Sequence, residues 1–469
     1  MKQFKLLFIL FIINHFSVAQ SVSQRLKVAI EKLQSDSALR HASMSLYVVN
    51  SKTNEVVFDY NSQLGLVPAS SQKIITSVAA YELLGKDFQY KTELGYDGAI
   101  KKGTLYGSLH IKGYGDPTLG SWRYASTKDT AVLKDWVEAI KQAGIKKING
   151  NIILDGSSFS LNPIPGGWPW EDIGNYYGAG SWGLNWYENQ YDLLLKPGIH
   201  EGDSTTIIRS SPELQAADLL NNIKTSKKDD GEDANIYLPP YSILGFTEGT
   251  IPAGEKNTTI SGSTPNPYYQ LGNVLEKALE SAGIKHNVIT NSLEYIANKS
   301  SIPKVDSIFH TYLSPTLDSI TYWFLHKSVN LYGEALLKTI AYTKTGEGGT
   351  ESGIGVVKKF WEDRGIELSA LRIKDGSGLS PSNRITTRAL VTALQYARDK
   401  AWFPSFYNAL PIYNGMKLKS GTISGIKSFA GYHTSKDGVD YTVAIIVNDF
   451  DGYSSEMVKK LFFVLNELK

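Results

Sequence analysis

The chain contains no cysteine, so it can form no disulfide, no thiolate metal site and no lipid-modified cysteine anchor. Net charge is almost absent as well, at +2 over 469 residues. Removing the first nineteen residues, which carry Lys2 and Lys5 but no acid, brings it to zero, which argues against non-specific binding to nucleic acid or another polyanion. The eight histidines are scattered without metal-ligand spacing, so neither a metal nor a cofactor is expected. No stretch reaches the ~20 apolar residues needed to span a bilayer. The longest candidate, Leu6 to Ile13, follows two lysines and precedes Ser17-Val18-Ala19. That order reads as a signal peptide, residues 1–19, cleaved before Gln20 to release an exported chain with no integral membrane segment.

What is present is length enough for more than one core. Helical periodicity from Val22 to Leu33 precedes a hairpin, Ala42 to Val49 and Glu55 to Tyr60. Near the other end, Met416 to Thr422, Ser428 to His433 and Tyr441 to Val447 read as strands before a helix from Glu456. Its apolar stripe suits a core-closing helix better than a membrane-surface one, because Lys459 and Lys460 make only a thin basic face. Five strands and two terminal helices form one antiparallel sheet covered on a face. Between them, residues 89–304 are rich in Gly, Tyr and Trp and read as an inserted domain, with a smaller one nested at about 195–265. The flanking parts, 20–88 and 305–469, make the other domain. Helices ending near Ile145, Ile284 and Ile366 share a glycine cap, at Gly144, Gly283 and Gly365.

Three short motifs carry chemistry. In Ser70-Ser71-Gln72-Lys73, at a helix start, the first and last residues lie one turn apart on one face. A lysine can take a hydroxyl proton only if burial or a nearby cation lowers its pKa. Read alone, Ser70 or Ser71 serves equally as an N-cap, with Lys73 solvated. Ser71, out of register with Lys73, is the natural control. Ser328-Val329-Asn330 precedes a second helix and offers a hydroxyl and an amide to one site. Lys419-Ser420-Gly421-Thr422, on a strand, offers a cation and hydroxyls for a carboxylate, with Gly421 allowing substrate backbone to approach.

In this order and on these elements, the motifs resemble the penicillin-binding protein and serine β-lactamase superfamily. The long interval between Lys73 and Ser328 is similar to the class C low-molecular-mass penicillin-binding proteins, D-alanyl-D-alanine carboxypeptidases and endopeptidases with two nested insertions. Asp116-Pro117-Thr118, Tyr177-Gly178-Ala179, Asn330-Leu331-Tyr332-Gly333-Glu334, Asp375-Gly376-Ser377-Gly378 and Ala430-Gly431-Tyr432 extend the resemblance over nearly the whole mature chain. Ser420, where threonine is commoner, and the run Ser181 to Leu184 depart from it.

The resemblance implies an α+β fold, a five-stranded antiparallel sheet flanked by helices, and a periplasmic enzyme acting on peptidoglycan peptides and inhibited by β-lactams. It implies that Ser70 forms an acyl-enzyme and Lys73 takes its proton. Backbone N–H groups of Ser70 and Thr422 form the oxyanion hole, and Asn330 positions the penultimate peptide link. Ser328 passes a proton to the leaving amine. Lys419, Ser420 and Thr422 hold the carboxylate, and Lys419 lowers the pKa of Lys73. A β-lactamase-type hydrolase and a non-catalytic β-lactam-sensing or wall-binding protein remain alternatives. Glu334 reads as either a site-orienting group or a helix contact. Trp168 and Trp170 read as packing in the insertion or as a groove lining, and the 375–380 loop as the rim of the site.

Overall fold

The computed structural model describes residues 20–254 and 256–469, so the leader expected at 1–19 lies outside the described residues. The strands from the two ends of the chain meet in one antiparallel sheet, in the order Val56–Tyr60, Ser43–Asn50, Asp440–Asn448, Ile426–Thr434, Met416–Ile423 and Ile412–Tyr413. The first five are the expected strands. The sixth is a two-residue edge pairing that no periodicity announces.

Both faces of this sheet are covered, which is why its central strands are nearly continuous apolar runs. Alternate residues go to opposite sides: Leu46, Val48, Val443, Ile445 and Val447 pack on one face, while Tyr47, Val49, Ala444 and Ile446 pack on the other. The first face is closed by the helices Val22–Gln34 and Ser454–Leu465, whose Leu26, Ile30, Leu461 and Leu465 are fully buried. The second carries the helices Lys73–Leu84, Asn330–Thr345 and Thr387–Arg398. The C-terminal helix thus closes a core, and among the described residues no helix is long and apolar enough to cross a membrane.

The middle of the chain builds separate sheets. A mixed five-stranded sheet runs in the order Ile289–Asn291, Ile152–Asp155, Leu109–Gly113, Gln89–Tyr96 and Ser307–Thr316, with the helices Asp129–Gln142 and Pro267–Ser281 sharing its core. Further along, Gln190–Lys196, Thr206–Ser211 and Thr258–Ser263 form a three-stranded sheet, and four short strands between Asp218 and Pro252 form another. Tyr191, Leu193, Leu195, Ile236 and Ile251 belong to a core of their own. The strand Ser307–Thr316, which lies past the boundary expected at 304, pairs with Gln89–Tyr96. Partner choice by a strand is a long-range property that local composition does not encode. The three glycine caps take positive φ just past their helices, as expected.

Candidate active site

Ser70 stands on a tight turn. Ala69, fully buried, has φ 46°, a left-handed conformation that a residue with a Cβ rarely adopts. It opens a 3-10 turn, Ala69–Gln72, that runs into the α-helix Lys73–Leu84. A 3-10 turn eclipses residues three apart. Lys73 Nζ consequently lies 2.9 Å from Ser70 Oγ.

The same amine lies 2.7 Å from Asn330 Oδ1 and 2.8 Å from the Ser377 carbonyl oxygen. A neutral amine has two N–H donors and one lone pair. With both donors taken by these two acceptors, the lone pair is left for the Ser70 hydroxyl. Burial lowers the Lys73 pKa to about 7, with Asp375 and Glu334 pulling the other way. Lys419 and Lys73 repel one another as cations, and burial together with that repulsion holds the Lys419 pKa well below the usual lysine range.

Ser328 and Asn330 follow the helix Leu317–His326. Ser328 also has a left-handed backbone, φ 58°, and Asn330 begins the next helix. Asn330 is committed on both sides of its amide, with Nδ2 donating to the Tyr177 carbonyl at 2.8 Å. Ser70, Ser328, Asn330 and Thr422 line one cleft of about 670 Å³, together with Tyr177, Glu171 and Asp172 of the middle segment.

Lys419, Ser420 and Gly421 are not among the cleft-lining residues. Lys419 is 1% exposed, and its amine donates to the Ser420 carbonyl at 2.8 Å. Thr422 Oγ1 accepts from Lys427 Nζ at 2.5 Å. Gly421 also has an intramolecular reason to be glycine. A Cβ there would lie 2.4 Å from the Pro68 carbonyl oxygen and 2.9 Å from Ser70 N, so this strand approaches the turn that presents Ser70 closely.

Several contributors escaped the motif reading. The 375–380 loop is more than a rim: Ser377 supplies its carbonyl to Lys73, and Gly378, φ 85°, packs so tightly on Ala69 that a Cβ would lie 2.1 Å from the Ala69 oxygen. Glu334, fully buried, accepts from the backbone N–H of Gly376 and Ser377 at 2.9 Å each and holds that loop; burial raises its pKa. Asp375 accepts from Gln72 Nε2 at 2.9 Å, Ser380 N at 2.6 Å and Trp168 Nε1 at 2.9 Å. Trp168 therefore bridges the middle segment to the loop, while Trp170 is half exposed. On another wall, Tyr187, Glu188 and Asn189 are all left-handed, and Glu188 accepts from Arg123 Nε at 2.7 Å and Tyr332 OH at 2.7 Å. Glu334 and the glycine loop stand within the strings quoted above. Glu188 had no signal.

A hydroxyl facing the lone pair of a buried amine, with a second hydroxyl and an amide across an open cleft, suits acyl transfer through a serine ester. Residues 26–465 match the family model for D-Ala-D-Ala carboxypeptidase 3 (S13). A D-alanyl-D-alanine carboxypeptidase from Actinomadura sp. (strain R39) is 25% identical over 458 residues, covering 91% of this chain and 81% of its own. The D-alanyl-D-alanine carboxypeptidase DacB of Haemophilus influenzae is 23% identical over 426 residues, 87% of this chain and 85% of its own. The crystal structure of penicillin binding protein 4 (dacB) from Haemophilus influenzae superposes with a TM-score of 0.80 at 21% identity, over 94% of this chain and 99% of that one. The same Haemophilus protein complexed with a novel β-lactam gives 0.76 at 21% identity, over 95% and 99%. With the match running over nearly all of the described residues, the chain belongs to the D-Ala-D-Ala carboxypeptidase 3 (S13) family.

Proposed function

We propose that the protein is a serine D-Ala-D-Ala carboxypeptidase and DD-endopeptidase that trims and cleaves peptidoglycan stem peptides through an acyl-enzyme. The observation that carries this is the Lys73 amine, its donors occupied, 2.9 Å from Ser70 Oγ. Lys73 takes the Ser70 proton as the oxygen attacks the penultimate D-alanine carbonyl. The N–H groups of Ser70 and Thr422 receive the oxyanion. When the C–N bond breaks, the proton returns through Ser328 to the leaving nitrogen, a terminal D-alanine or a cross-link amine. Water then hydrolyses the ester. Asn330 orients the peptide, and Lys419, Ser420 and Thr422 favour its carboxylate. For Lys419 this action is a field from beneath the strand, in keeping with its buried amine. The β-lactam complex of the Haemophilus relative supports β-lactams as ligands of this cleft.

The test is mass spectrometry of the protein after benzylpenicillin, and of muropeptides after the protein. A long-lived adduct on Ser70, D-alanine loss from pentapeptides and splitting of cross-linked dimers are expected. Rapid penicillin turnover would instead mark a β-lactamase, and no reaction with either reagent would end the proposal.

The segment expected at 89–304, extended to Thr316 by its last strand, acts as an inserted domain that walls the cleft, and the part at about 195–265 is a smaller domain nested in it. Their separate apolar cores support this division. Export to the periplasm after removal of residues 1–19 accords with a wall substrate and with Lys2, Lys5 and the apolar run that follows.

The pH dependence has a definite sign. Only the neutral amine serves as base, so with Lys73 at about 7 the rate of penicillin acylation should fall about tenfold per pH unit on the acid side. Stopped-flow rates between pH 5 and 9 check this, and an acylation rate that stayed flat across pH 7 would contradict the assignment of Lys73.

A further inference from the structure

The helix that begins at Asn330 carries a polar stripe, Asn330, Glu334 and Lys338, at the spacing that keeps residues on one face. The first two serve the Lys73 centre. Lys338 does not, and it is fully buried. Its amine donates to the Asn162 carbonyl at 2.7 Å and to the Ser181 carbonyl at 2.9 Å. No carboxylate pairs with it among the described residues, and burial lowers its pKa to about 7. A buried lysine without a counter-ion is no device for stability, since an apolar residue of similar size would pack there at lower cost.

The two carbonyls are the ends of one loop. Ser181 N donates to the Pro163 carbonyl at 3.0 Å, closing the loop's base beside Lys338. From that base the chain runs out to the cleft and back. Trp168 bonds Asp375, Gly167 accepts from Ser380 Oγ at 2.9 Å, and Tyr177 accepts from Asn330. Pro169, Glu171, Asp172, Tyr176 and Tyr177 of this loop line the cleft that Ser70 opens into.

We propose that Lys338 is a positioning residue for the reaction: by clasping both ends of the 162–181 loop, it holds the wall against which the stem peptide is bound. The inference rests on the cleft being the substrate site. It acts on the part of the substrate that reaches the loop. Benzylpenicillin is shorter than a stem peptide and depends less on that wall.

The experiment compares benzylpenicillin acylation with hydrolysis of a disaccharide pentapeptide. Lys338→Met should raise KM for the muropeptide about tenfold while kcat and the penicillin rate stay within about threefold. Chymotrypsin should also cut sooner after Trp170, Tyr176 or Tyr177, with the melting transition still cooperative. Gly180→Ala attacks the same clasp from the loop side, because a Cβ there would lie 2.8 Å from Pro163 Cβ and 3.0 Å from Ile164 Cδ1, leaving the helix untouched. It should reproduce the split, and it decides the matter should Lys338→Met fail to fold. Equal losses on both substrates would mean that Lys338 works through Lys73 and Glu334, overturning the proposal. So would an unchanged muropeptide KM in a folded variant. A wild-type protein inert to penicillin would fail the active-site reading instead, before either variant is compared.

Discussion

Ser70→Ala is expected to abolish the penicillin adduct and to lower D-alanine release by at least about 10⁴-fold, with the fold intact. The substitution removes a single atom that bonds Lys73 and is partly exposed to the cleft. Lys73 keeps Asn330 Oδ1 and the Ser377 carbonyl, so its amine stays where it is. Losing one hydrogen bond costs about 1 kcal/mol, too little to unfold a chain of this size. Intact-protein mass after benzylpenicillin, beside a thermal melt, separates lost chemistry from lost structure. Ser71 no longer makes an inert control. It is fully buried, and its hydroxyl donates to the Pro68 carbonyl at 2.7 Å, within the turn that aims Ser70. Ser71→Ala should therefore slow acylation without stopping it. A variant pair behaving the other way round, with Ser70→Ala still captured by penicillin, would put the nucleophile out of register.

How far the molecule could be read from its residues depended on whether the relevant group was a side chain or a backbone atom. The sheet was legible because alternate residues face opposite covers, and the helix-start serine and lysine because turn geometry alone brings them together. The second acceptor around Lys73 was not, since it is the carbonyl of Ser377, and any residue at that position carries one. Gly421 and Gly378 were visible as glycines, but what excludes a Cβ there is the Pro68–Ser70 turn, more than three hundred residues away in sequence. Lys338, within Leu336-Leu337-Lys338-Thr339, has the look of a solvated helix face until tertiary packing buries it. Trp168 was read as packing within the middle segment or as a groove lining because its partner, Asp375, lies beyond that segment altogether.

Lys73→Met is the second substitution with a large expected effect, a loss of about 10³-fold in acylation by both penicillin and peptide. Methionine matches the stem of the lysine and can pack toward Phe324, whose ring centre lies 5.7 Å from the present amine. Stability has opposing contributions. Two buried acceptors, Asn330 Oδ1 and the Ser377 oxygen, lose their donor at about 1–3 kcal/mol each. Against that, a fully buried amine no longer has to be desolvated, and its repulsion of Lys419 ends. The melting temperature should thus move by only a few degrees while activity collapses. The pH profile provides the sharper reading. Whatever acylation survives in Lys73→Met should lose the acid limb near pH 7, because the group that titrates there is gone. A variant that is slow yet keeps the same limb would assign the proton transfer to another residue and leave Lys73 a role in holding Asn330 and Ser377 together.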